Sequence, residues 1–108
     1  MNNETETSKT FLPVDSIAYA DKSVVSKTIL TKPTGNITLF AFDKGEGLSE
    51  HTTPHQAMLQ ILDGKAEITI GGNQNNLETG QCIILPANIP HSVKANEKFK
   101  MMLTMIKS

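Results

Sequence analysis

A chain of 108 residues with a formal net charge of −1 has room for one small domain and little more. Its lysines are scattered singly, at 22, 27, 32, 44 and 65 among others, so no basic stripe invites nucleic acid, and no apolar run is long enough to span a membrane. Cys82 is the only cysteine, which excludes an internal disulfide, and the polar opening stretch lacks a secretion-signal layout; a cytoplasmic location is the expectation.

Residues 1–10 are polar and read as a flexible N-terminal tail ahead of a single barrel domain over 11–108. Residues 15–22 could form a short helical turn. Strands are predicted over 24–30, 36–43, 57–62, 66–70, 81–85, 92–95 and 99–107. Glycine, proline and asparagine clusters at 32–35, 44–47, 63–64, 71–73, 79–80 and 86–90 separate them. Turns recurring at such short intervals, without helical periodicity, indicate an all-β sandwich or antiparallel barrel.

Several strands are apolar on both parities, two of them clearly. Ile83 and Leu85 alternate with Cys82 and Ile84, and Met101, Leu103 and Met105 alternate with Met102 and Ile106. One face of each can line a barrel interior; the other must be covered by a flanking segment or a second copy, so a homodimer is expected. Cys82 reads as a buried small hydrophobe, and Met58, Met101, Met102 and Met105 as flexible fillers of the core. Asp43 and Glu46 flank a turn, where carboxylates bond local backbone.

The chemistry concentrates in two stretches that hold all three histidines. The first carries Gly45, His51, Thr53, His55, Ala57 and Gly64; the second carries Gly80, Pro86, Asn88, His91, Ala95 and Asn96. The spacings resemble the two motifs of the cupins, in which Gly, His, His, Glu and Gly are followed, after a hairpin, by Gly, Pro, Gly, His and Asn. That resemblance implies a cupin-type antiparallel β-barrel, also described as a double-stranded β-helix or jelly roll, of the short single-domain bacterial type. Asn88 stands at the family's glycine, and Asn is the residue that next most readily enters the left-handed region, so the turn is expected to survive.

The resemblance also implies that metal-binding members hold a divalent cation at the positions of His51, Thr53, Ala57 and His91. Here two of the four ligands are replaced, one by a hydroxyl and one by a methyl group, and the glutamate charge is lost. His55 shares strand parity with His51 and Thr53, so a site of His51, His55 and His91 could hold zinc, nickel, iron or manganese, with water completing the shell. Gln60 has the opposite parity and is expected to point away.

Three readings remain open on the sequence. The first is a small-molecule ligand bound in an apolar lumen by His51, Thr53, His55, Ala57 and His91, with at most a weakly held divalent metal. The second is an enzyme of oxygenase, isomerase or hydrolase type, using the three-histidine metal site or a histidine as general base. The third is a non-catalytic interaction module with a filled barrel.

Overall fold

The computed structural model describes residues 5–107. Its strands are β1 (Val24–Lys32), β2 (Gly35–Phe42), β3 (Gly47–His51), β4 (Gln56–Asp63), β5 (Lys65–Ile70), β6 (Asn73–Glu78), β7 (Cys82–Leu85), β8 (His91–Lys94) and β9 (Phe99–Ile106). They form two antiparallel sheets, one in the order β1-β2-β9-β4-β7 and the other β3-β8-β5-β6. One hydrophobic cluster draws on both, from Phe42, Leu59 and Met101 of the first to Ile68, Leu77 and Val93 of the second. The sheets therefore face each other as a jelly roll, without closing into a continuous barrel.

All seven expected strands are present. β3 and β6 were not expected, because Gly47–His51 and Asn73–Glu78 contain one apolar residue each, Leu48 and Leu77. Both are edge strands held by pairing rather than composition: Leu48 lies opposite Val93, and Leu77 opposite Ala66. Two turn positions require the left-handed region. Asn88 has φ 64°, as its place in the motif implied. Gly64 has φ 84°, and a Cβ there would meet the carbonyl oxygen of Lys98 at 2.5 Å.

The stretch 15–22 forms no helix. A single 3-10 turn at Pro13–Asp15 ends on the first residue of that stretch, and the chain then runs as a strap across the outer face of the larger sheet. Ile17 and Tyr19 cover Ile29, Leu39, Ala41 and Met102 there. The strap is pinned by the Tyr19 hydroxyl, which donates to Asp63 at 2.5 Å, and by Lys100, whose ammonium donates to the Val14 carbonyl at 2.6 Å. Lys98 and Lys100 lie over the Tyr19 ring at 4.9 and 5.1 Å. Burial and the Asp63 charge together raise the Tyr19 pKa well above that of a free phenol. Of the expected tail, residues 1–4 lie outside the described residues, whereas Thr5 is tied to β1 through its N–H and the Ile29 carbonyl.

The strap covers only part of the outer face. Ile84 and Ile106 remain 51% and 62% exposed, and Met58 is exposed beside them. Two expectations are corrected here: Cys82 is exposed rather than buried, and Met58 fills no core. Both sit on outward parity, since Ile83, Leu85 and Leu59 are the residues that face the interior. Among the described residues no helix is long and apolar enough to cross a membrane.

On β2, β5 and β9 the inward-facing residues are graded in burial along the strand. Down β9, Phe99 and Met101 are fully buried, whereas Leu103 and Met105, on the same face, are only half-buried. β2 repeats this with buried Phe42 and half-buried Phe40, and β5 with buried Ile68 and half-buried Ile70. Phe42 and Phe99 stack at 4.6 Å and seal the closed end. On these three strands the end away from Phe42 and Phe99 is the more open one, although Ala57, Leu85 and His91 there are buried and Val24, opposite Phe42, is half-buried.

Candidate functional site

Short connections bring both motifs to the open end. β3 finishes at His51 and β4 starts at Gln56; β7 finishes at Leu85 and β8 starts at His91. Ala57 lies opposite both Leu85 and Met105, and His91 opposite both Ile70 and His51. The two loops are fastened together where the Asn88 N–H donates to the Thr53 carbonyl at 2.7 Å. On the rim, the Gly71 N–H donates to the Pro90 carbonyl at 2.8 Å, beside the exposed Ile89.

His51 and His91 meet as a cross-strand pair. Their ring centroids are 4.3 Å apart, with the planes inclined at 67°. His91 is the buried member, at 5% exposure, and shares the inward parity of Val93; His51 is exposed at the mouth. Desolvation lowers the His91 pKa below the ordinary histidine value, and the charge of His51 adds to the effect, while its bond to the Ile89 backbone opposes it. Burial therefore favours the neutral form of His91. Nδ1 of His91 lies 3.3 Å from the Ile89 carbonyl, and Nδ1 of His51 lies 2.8 Å from the Ser49 carbonyl.

The other motif positions do other work. The Thr53 hydroxyl accepts the His55 N–H at 3.2 Å and so closes the local turn. Ala57 is buried in the wall. His55 does not complete a three-histidine cluster: among the described residues no three His, Cys, Asp or Glu side chains are grouped to hold a metal ion. The expected parity of 51, 53, 55 and 57 assumed one extended segment. The chain bends at Pro54 and His55 as it crosses from one sheet to the other; Thr53, His55 and Ala57 are each less exposed than their neighbours Thr52, Pro54 and Gln56, but His55 is half-buried and joins no group of three. Gln60 points outward as expected, with its amide 3.5 Å from the Gly80 carbonyl.

The donor set therefore does not fit a resident divalent cation. Two imidazoles remain, the third family position is engaged in a turn, and the fourth is a methyl group in the core. Surface grooves elsewhere bring no histidine to their walls: one lies among Lys65, Glu67, Glu78 and Asn96, another between β6 and β7 beside Gln74, Asn76 and Cys82. The histidine end stands out for its convergent titratable groups, one of them buried and perturbed.

The sequence reading missed Ile70, Leu103 and Met105 as walls of the open end. The alternation on β9 marked one face as interior, but nothing local distinguishes Met105 at the mouth from Met101 in the sealed core.

The family model described as Cupin domain matches residues 38–107. No curated protein matches the chain by sequence. Among solved structures, a conserved protein of unknown function from Streptococcus pyogenes is 36% identical, with a TM-score of 0.91 over 99% of this chain and 93% of its own. A cupin 2 conserved barrel domain protein from Leptotrichia buccalis is also 36% identical, with a TM-score of 0.84 over 87% of this chain, which spans 46% of that one. A cupin superfamily protein from Desulfitobacterium hafniense shares the fold, with a TM-score of 0.90 at 23% identity over 99% of this chain and 97% of its own.

Proposed function

The chain belongs to the cupin-domain family, and on that premise we propose that it binds a small molecule between its sheets, at the end that carries His51 and His91. The observation that supports this most is the difference between the two ends on β5 and β9: Ile70, opposite His91, and Leu103 and Met105 keep exposure, whereas Phe99 and Met101 at the other end keep almost none; Ala57 and Leu85 form a buried wall beside Met105. An apolar recess with a few convergent polar groups is the usual form of a ligand site. His91 supplies such a group from within the wall, and His51 supplies a second at the mouth. With two of the family's ligand positions replaced, the role needs no tightly held metal.

The test is thermal melting of the untagged protein against a small-molecule library, beside the Leu103→Trp and Met105→Trp variants, whose added bulk would occupy the open end. A compound at about 100 times its Kd should stabilise the parent by about 2.7 kcal/mol and lose its effect in the variants. No stabilising compound, or equal stabilisation of parent and folded variants, would overturn the reading. Metal analysis of the same protein should find far less than one divalent ion per chain; a stoichiometric ion lost in His51→Ala and His91→Ala would replace it with a metal-centred function.

A further inference from the structure

The distribution of charge across the strands sets what the recess can accept. On β1, β5, β6, β8 and β9 every lysine and glutamate stands on outward parity, as Lys65 and Glu67 do beside the inward Ala66 and Ile68. Asp63 lies past a bulge in β4 and is bonded to Tyr19 of the strap; Glu50 lies exposed in the bulge of β3. No strand among the described residues directs a lysine, aspartate or glutamate inward with the core. An ion moved from water into such a recess would lose its hydration without meeting a countercharge.

The two imidazoles add a polarity. A backbone carbonyl only accepts, so the Nδ1 atoms of His51 and His91, bonded to the carbonyls of Ser49 and Ile89, are the donors. A neutral ring with its proton on Nδ1 presents Nε2 as a bare acceptor. No hydrogen bond to Nε2 of His91 is formed among the described residues, and among them no fully enclosed side-chain nitrogen or oxygen lacks a partner; Nε2 is therefore not fully enclosed. His91 thus offers a hydrogen-bond acceptor at this end, and His51 a second when its ring is neutral; Asn36 and Thr38, opposite Met105 and Leu103, are further polar side chains on the inward face.

Resting on the binding role proposed above, we infer that the ligand is an uncharged molecule with an apolar body and one hydroxyl or N–H group, such as a phenol or alcohol, which donates to Nε2 of His91 or His51. The apolar body lies against Leu103, Met105 and Ile70. Carboxylates and phosphates offer the wrong hydrogen-bonding sense as well as an uncompensated charge.

Ligand-observed NMR with matched probes tests this on the unmodified protein. The sets are phenol, anisole and benzoate, then 2-naphthol, 2-methoxynaphthalene and 2-naphthoate. Each hydroxyl compound should bind about tenfold more tightly than its methyl ether, the upper end of what one hydrogen bond supplies, and the carboxylate more weakly than either. His51→Phe, at an exposed position, should narrow the preference of hydroxyl over ether. Equal binding of hydroxyl and ether, or tighter binding of the carboxylate, would overturn the inference while leaving a small-molecule site in place. Binding by none of the probes up to millimolar concentration would overturn both.

Discussion

Met101→Ala and Met105→Ala remove the same atoms from the same face of the same strand, yet the structure assigns them different costs. Met101 is 1% exposed and sits opposite Ile61, which is fully buried, so its truncation leaves an enclosed cavity. Transfer and cavity terms for a buried methionine together run to roughly 2–5 kcal/mol, and about 3 is a fair central value. Met105 is half-buried and borders the open end, where truncation seals no void. Only part of the transfer term is lost, about 1 kcal/mol. The difference of about 2 kcal/mol corresponds to roughly 8–16 °C in Tm for a domain of this size. Urea unfolding should place the two midpoints roughly 1 M apart, with similar slopes. Equal losses would mean that side chains fill the interior to both ends, and the case for a binding recess would fall.

Other consequences follow from single residues. His91 has a lowered pKa in the folded chain, so the unfolded chain takes up its proton first; its contribution to stability is complete above about pH 6.5 and is lost as pH falls through the lower folded value. Urea midpoints between pH 7.5 and 5 should fall more steeply for the parent than for His91→Asn; parallel curves would contradict this. Asn88→Ala, at φ 64°, should lose about 1 kcal/mol in chemical denaturation, while Asn88→Gly should lose none; equal losses would place the cause outside the backbone. The patch of Met58, Ile84 and Ile106 predicts a dimer by sedimentation at micromolar concentration that Ile84→Glu dissociates; a monomeric parent would refute this.

The sequence makes the alternating strands and the turns legible because each is a local decision. Cys82 through Leu85 reads as a strand from its own residues, and Asn88 declares a left-handed turn by its type and place. Legibility fails where structure depends on a distant partner. Asn73–Glu78 has little strand propensity and is held by β5; the strap is held by Tyr19 reaching Asp63, far along the chain. At the site, the pairing of His51 with His91 follows from matching motif positions, and the structure brings the two rings together. His55 keeps the burial expected of its parity yet joins no group of three, because a shared side of the chain does not fix its distance from His51 and His91. Cys82 and Met58 show the same limit: a two-sided apolar strand does not declare which side is covered.

The most direct test of a ligand recess at the histidine end is NMR of the methionine methyl groups during titration with 2-naphthol. Met105 borders the recess, Met101 lies in the sealed core, Met102 lies under the strap, and Met58 is on the uncovered outer face. Shifts confined to Met105, accompanied by the His91 ring nitrogens, are the predicted result. A titration that moves Met58 and leaves Met105 and His91 unchanged would place binding on the outer face and contradict the account.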